Sequence, residues 1–215
     1  MTLNENYLKS GQLELKKKGI DNIPYEEIYL SDKLKDQYIE DVEQCQLYAE
    51  ENRDITSKII CKNMKWKIEE EFDCSHNYFD KENNILRKGS ISAYKDSKVI
   101  IPINMKEGCL IGVGKGNKEW NYSTPHGSGR LFKRSDVANY YTLNQFKNDM
   151  EGVYSSCITK DTLDESPYAY RSLDEIKEVL DETVEIQNLL KPTYSFKAGG
   201  KNDNTNKFWY RTSGM

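Results

Sequence analysis

The residues best suited to chemistry stand in one short run, Ser123-Thr124-Pro125-His126-Gly127-Ser128-Gly129-Arg130-Leu131-Phe132-Lys133-Arg134. A neutral imidazole, with an unperturbed pKa of about 6.5, can attack a phosphorus centre at neutral pH. Gly127 and Gly129 open room for a phosphate beside His126, and Arg130 and Arg134 can hold its oxygens in bidentate fashion. A lone histidine is more often structural, so the run by itself leaves both readings open. His76, in Asp73-Cys74-Ser75-His76-Asn77-Tyr78, is the other histidine. It has a metal-ligand reading through an imidazole nitrogen and a plainer one as a hydrogen-bonded residue at a strand end. Local sequence favours the plainer one. No second histidine or tight carboxylate spacing accompanies it, so histidines alone cannot close a metal site here.

Six of the 13 glycines (108, 112, 114, 116, 127 and 129) fall within 22 residues. Backbone N–H groups in such a region can approach an anion closely. The stretch GVGKGNKEW is neither GxxxxGK[ST] nor GxGxxG, so it carries no known phosphate fingerprint, and tight strand turns explain the glycines nearly as well.

Charge singles out the same region. The chain has a net charge of −4, but residues 81–134 hold eleven Lys or Arg against four Asp or Glu. A polyanion is drawn to this central third and repelled by the ends. Hydrophobic residues make up 37% and charged ones 31% of the 215 residues, against about 45–50% and 25% in ordinary globular chains, so a very wet surface is expected. No apolar run of about 18 residues is present and the N-terminus lacks a signal-peptide pattern, which predicts a cytoplasmic protein without a membrane partner. Cys45, Cys61, Cys74, Cys109 and Cys157 are odd in number and contain no CxxC pair, so reduced structural thiols are expected.

These residues need elements to position them. Leu34, Tyr38, Val42, Cys45 and Ala49 recur at helical spacing in a stretch without Gly or Pro, which predicts a helix over 32–65 with that stripe in the core. Ser172 and Glu175 form a capping box, and Leu173, Ile176, Leu180, Val184 and Gln187 extend a stripe that predicts a second helix over 173–190. Between them, 90–94, 99–101 and 109–113 read as strands, with a hairpin turn at 95–97 joining the first two and Pro102 closing the second. The Gly- and Asn-rich stretch after Lys197 reads as a flexible tail over 199–215. The fold class is α+β, a β-rich centre flanked by helices.

The runs CSHNY, RKGSISAY, VIIPINM, GKGNKEWN and HGSGRLFKRS occur in order. At matching spacing they resemble the C-terminal half of RtcB-type RNA ligases, whose pattern reads HN, RKGA, IPGSMG, RGxGN and HGAGRxxSR. The similarity extends over about 25–198, and residues 1–198 are assigned to the C-terminal part of such a ligase domain. The resemblance implies a GTP- and manganese-dependent (GTP, Mn2+) enzyme that joins RNA ends, such as tRNA halves, bearing a 2′,3′-cyclic phosphate or 3′-phosphate to 5′-hydroxyl ends. By resemblance His126 would carry GMP, and His76 matches one metal ligand. Asn104, Gly127, Ser128, Gly129, Arg130, Arg134, Tyr170 and Lys197 would bind the nucleotide or its phosphates.

The chain also departs from that pattern. The family's metal-binding aspartate and cysteine and its GNHF and HSGSR histidines lie upstream of the matching region, so a separate chain supplying the N-terminal half is an expected partner. The IPGSMG loop appears as Ile101-Pro102-Ile103-Asn104-Met105-Lys106, and Val113 replaces an arginine. Isoleucine at 103 is expected to crowd a backbone that approaches phosphate. The alternative is a degenerate remnant that binds RNA or guanine nucleotide without chemistry. A histidine phosphatase is a weaker rival, because His126 follows Pro125 where an RHG context is needed.

Overall fold

The computed structural model describes residues 3–197, and the chain divides between Lys88 and Gly89 into two compact units. The 199–215 tail lies outside the described residues. The architecture is α+β, with five α-helices and seven short strands among the described residues.

The first unit contains α1 (Leu3–Lys17), α2 (Asp32–Met64) and the antiparallel hairpin of β1 (Asn77–Asp80) and β2 (Ile85–Lys88). Helix α2 occupies the stretch expected from its spacing. It stops where Lys65 turns left-handed at φ 57° and the Trp66 N–H closes onto the Cys61 carbonyl at 2.8 Å. Its stripe is not core as expected. Leu34, Tyr38, Val42 and Ala49 are half-buried, Cys45 is exposed, and no residue of α2 is buried. The reason is size: a 15-residue α1 and a two-stranded hairpin cannot cover a 33-residue helix within this unit. Contacts along α2 are mainly polar or aromatic, with Tyr7 edge-on to Tyr38 at 5.1 Å and the Phe79 N–H donating to the Gln46 side chain at 2.9 Å. Inside the hairpin Arg87 is buried and donates to the Tyr78 hydroxyl and the Asp80 carboxylate, each at 2.9 Å.

In the second unit, β4 (Lys98–Asn104), β5 (Gly108–Gly114) and β7 (Val184–Leu190) form an antiparallel sheet in the order β4-β5-β7. A separate pair joins β3 (Ser90–Ser92) to β6 (Ser123–Pro125). Helices α3 (Val137–Tyr140), α4 (Leu143–Asp149) and α5 (Leu173–Asp181) complete it. A core of Met105, Val137, Tyr141, Phe146, Met150, Leu163 and Ala169 lies beneath the α3–α4 region.

Three expectations are corrected here. The 95–97 turn exists, with Asp96 at φ 65° and the Ser97 N–H on the Tyr94 carbonyl, but the strands on either side pair elsewhere, β3 with β6 and β4 with β5. Pro102 does not close β4. It sits within it, opposite Cys109, which is tolerable because β4 is an edge strand with no ladder to feed on its outer side. The helix expected over 173–190 ends at Asp181. Thr183, buried, shares a hydrogen bond of 2.9 Å with the Thr124 hydroxyl, and from Val184 the chain pairs with β5, whose second edge otherwise leaves its backbone groups unmet. The stripe through Leu180 is real, Val184 is buried as a strand residue, and Gln187 is exposed.

Among the glycines, Gly112 and Gly114 serve the packing of strands. A Cβ on Gly112 would stand 2.5 Å from Val184 and one on Gly114 2.3 Å from the Tyr94 carbonyl. The five cysteines are free of disulfides, and Cys157 is the buried one.

Candidate functional site

The register of β3 against β6 pairs Ser90 with Pro125, which sets Gly89 opposite His126. The Gly89 carbonyl accepts from the His126 ring, Nδ1 to oxygen 2.6 Å. A carbonyl can only accept, so Nδ1 carries the proton, and in the neutral ring the lone pair sits on Nε2. Gly89 holds φ +70°, a left-handed backbone that suits glycine, and this is what turns its carbonyl toward the ring.

The loop after His126 hangs on β4. The Ser128 N–H donates to the Pro102 carbonyl at 3.2 Å and its hydroxyl to the Ile103 carbonyl at 2.8 Å. Ser128 is therefore buried and its hydroxyl is committed to the backbone. The Ile103 side chain is buried, and the residue borders the same cavity as His126. Asn104 makes a turn: its Oδ1 accepts from the Lys106 and Glu107 N–H groups at 3.0 and 2.9 Å, and its Nδ2 donates to Glu107 at 2.7 Å.

Residues 129–131 run beside 169–171, with Arg130 bridged to Tyr170, the Leu131 N–H on the Ala169 carbonyl and the Arg171 N–H on the Gly129 carbonyl. Gly129 at φ +77° allows this turn away from β6. The pairing lays the Arg130 guanidinium over the Tyr170 ring, 4.6 Å from its centroid. Lys197 arrives on a separate segment, tied down where Tyr194 bridges Tyr154 and the Ser195 N–H donates to the Tyr154 carbonyl at 2.9 Å.

One residue that sequence reading did not single out organises these groups. Glu165 accepts from Arg130 Nη2 at 2.7 Å, from the Tyr170 hydroxyl at 2.7 Å and from Arg134, and it pairs with Lys197 at 3.1 Å. Asp164 adds a bond from Arg134 at 2.6 Å, and its carbonyl takes Arg130 at 2.7 Å. Burial alone would push the Glu165 carboxyl up, but the bonds from Tyr170, Arg134 and Lys197 outweigh it and hold it down at about 2. The Tyr170 hydroxyl is pushed up to about 12 by burial and by its bond to Glu165. Nothing in the spacing of DESPYAY marks Glu165; only the need of three converging cations for a counter-charge could have pointed to it.

His126, Asn104, Gly127, Ser128, Gly129, Arg130, Arg134, Tyr170 and Lys197 all line one cavity of about 740 Å3, together with Cys109 and Phe196. That volume suits a nucleotide-sized ligand. Burial raises the Cys109 thiol above its ordinary value, so it stays protonated at neutral pH. Several of the eleven cations in 81–134 are met by carboxylates at short range, among them Arg87 by Asp80, Lys115 by Asp181, and the two arginines of the cavity by Asp164 and Glu165.

His76 lies elsewhere, exposed in the bend before β1 in the first unit. Among the described residues, no group of three or more His, Cys, Asp or Glu is placed to hold a metal ion. The residues described here thus do not make the manganese site that the resemblance implies. No described helix is long and apolar enough to cross a membrane.

The RNA-splicing ligase RtcB of Escherichia coli strain K12 is 29% identical over 182 residues, and RNA-splicing ligase RtcB1 of Escherichia coli strain ATCC 25922 is 27% identical over 181. Each alignment covers 75% of this chain and 44% of the relative, so the chain spans less than half the length of the curated relatives it matches. The sequence pattern of the family described as tRNA-splicing ligase RtcB matches residues 1–198, and the chain belongs to that family.

Proposed function

We propose that this chain carries the guanylate-accepting part of a GTP-dependent RNA ligase, with His126 as the acceptor. The observation that carries the reading is the convergence, in one cavity, of an imidazole with Nδ1 fixed on a carbonyl and of Arg130, Arg134 and Lys197. The Nε2 lone pair forms a bond to the α-phosphorus of GTP, while the bond from that phosphorus to its bridging oxygen breaks and pyrophosphate leaves with the electron pair. An oxygen of an RNA 3′-phosphate then attacks the same phosphorus, and the N–P bond breaks back to the ring. The 5′-hydroxyl oxygen of a second RNA attacks the activated 3′-phosphorus, losing its proton to solvent, and GMP departs.

The chain's own groups orient and neutralise. Guanidinium and ammonium groups stabilise charge that develops on a transferred phosphoryl group, and Glu165 holds these cations in place until the ligand's phosphates compete for them. Arg134, with its side chain 65% exposed, is the one most open to such exchange. Tyr170 offers a ring face to a base. Manganese, used by the family as a whole, would need ligands beyond those that the described residues assemble, and these are assigned to the part of the ligase domain outside the stretch matched here. tRNA halves or other broken RNAs are the substrates.

A second reading, binding of guanine nucleotide or RNA without chemistry, is favoured by the lack of a metal-ligand group among the described residues. Incubation with α-labelled GTP and manganese, with the N-terminal part of a family member supplied, separates the two. Acid-labile label on this chain that disappears in His126→Ala is the expected result. Label that persists in the variant removes His126 from the role, and nucleotide binding without label leaves the second reading.

A further inference from the structure

Four aromatic rings form a ladder in the second unit. Tyr141 stacks on Tyr168 with centroids 4.5 Å apart and planes 1° from parallel, Tyr168 on Phe132 at 5.1 Å and 13°, and Phe132 on Tyr140 at 5.5 Å and 29°. The inner end is core, since Tyr141 is 5% exposed and belongs to the cluster around Phe146 and Met150. The outer end is not: Tyr140, the last residue of α3, is 62% exposed. Core packing explains the first ring. It does not explain a column of near-parallel planes that ends in an aromatic ring open to water, where edge-to-face contacts serve a core as well.

The ladder shares its backbone with the cavity. Phe132 lies between Arg130 and Arg134, and Tyr168 two residues before Tyr170, so the segment that brings two arginines to the cavity and the segment that brings Tyr170 also bring rings to the ladder. Two residues of chain span at most about 7 Å, which keeps Phe132, the ring on which Tyr140 stacks, within a short step of Arg130. Lys133, exposed, adds a cation next to Phe132. Stacking faces beside cations are the combination that binds unpaired nucleotides, because every base has a π-face and its phosphates seek positive charge.

We propose that Tyr140 is a stacking platform for an unpaired base near the 3′ end of an RNA strand whose terminal phosphate enters the cavity. The platform rests on the reading of that cavity as a phosphate and nucleotide site, but it is tested apart from it. The ring, not its apolar area, is what the base requires, so Phe and Trp substitute for Tyr140 and Leu does not.

The test uses the full chain and a short single-stranded RNA with a 3′-phosphate and 2-aminopurine at the penultimate position, without GTP. Binding is expected to quench the 2-aminopurine fluorescence. Tyr140→Leu is expected to weaken binding about tenfold, within the range for loss of one base–aromatic stack, and to remove the quench. Tyr140→Phe and Tyr140→Trp stay within about twofold of the parent, and GTP affinity is unchanged in all three. If the chain captures no such RNA, or if Tyr140→Leu binds and quenches as the parent does, the proposal is overturned; in the latter case the ladder is an apolar patch of another kind. A chain that fails to label on His126 yet distinguishes Leu from Phe at 140 keeps the platform and loses the ligase reading. A chain that labels but is indifferent at 140 does the reverse.

Discussion

The Nδ1 of His126 lies 2.6 Å from the carbonyl oxygen of Gly89, which fixes the tautomer of the one imidazole in the cavity. That contact depends on a left-handed glycine at φ +70°. A Cβ at position 89 would meet the His126 ring at 3.7 Å, ordinary contact distance, so the cost of Gly89→Ala lies in the backbone, roughly 1–2 kcal/mol. Chemical denaturation is expected to show that loss. Guanylate labelling is expected to fall by more than the stability change explains, because relaxing φ swings the carbonyl away from Nδ1. Full labelling of a destabilised Gly89→Ala protein would show that the tautomer is set in some other way.

Removing the Glu165 charge takes from Arg130, Arg134 and Lys197 the carboxylate they share and leaves Asp164 beside the two arginines. Glu165→Gln is expected to destabilise the second unit by about 1–3 kcal/mol near neutral pH. The sign with pH follows from a folded carboxyl held at about 2, below the ordinary unfolded value of about 4.3. Its contribution is present above the unfolded value and is lost as pH falls toward the folded one. The stability gap between parent and variant should therefore shrink from pH 6 to pH 2.5. A gap that is constant with pH would mean that the carboxylate's charge is immaterial.

Tyr170→Phe keeps the ring under Arg130 and loses the hydroxyl that bonds Glu165. The expected loss of stability is about 1 kcal/mol, with the Glu165 carboxyl released upward from about 2. Titration with GTP should show a smaller loss of affinity than Tyr170→Ala, which removes the stacking face as well. Equal losses in the two variants would assign the tyrosine's contribution to its hydroxyl.

Arg87→Ala in the first unit strands the Asp80 carboxylate, 10% exposed, without its guanidinium. Breaking a buried pair from one side costs about 3–5 kcal/mol. Urea unfolding of the variant should show that loss.

The purified chain without any added polypeptide is expected to be inert toward a 2′,3′-cyclic phosphate RNA and a 5′-hydroxyl RNA with GTP and manganese, as judged by ligated product on a gel. No described group of three ligands can seat the metal, and loss of a major electrostatic stabiliser typically costs about 10²- to 10³-fold in rate. Robust ligation would mean that residues such as Asp73, Cys74 or Cys109 bind manganese after all.

How much of this was legible in the sequence differs by element. Helix α2 announced itself because its spacing and its lack of Gly and Pro are local signals. Strand β7 did not: Leu173, Ile176 and Leu180 are helical, and Val184 and Gln187 happen to continue their period, while only Val184 of the strand is buried. What makes 184–190 a strand is the open edge of β5, some seventy residues earlier in the chain. Pro102 misled for a related reason, since a proline is harmless on an edge that only the topology reveals. In the cavity, the His126 run and its arginines were readable as types and spacing, and Tyr170 and Lys197 through family resemblance alone. Glu165 was readable by neither route, because its partners stand up to 35 residues upstream and 32 residues downstream.

The tie between Tyr154 and Tyr194 has a consequence for the order in which the protein is made. The wall that brings Lys197 to the cavity cannot close until a ribosome has released residues 193–197, long after His126 and its loop have emerged. Contacts so far apart in sequence carry a loop-closure penalty and form late. During synthesis the loop carrying Arg130 and Arg134 therefore emerges before the segment that brings Lys197 to the same cavity.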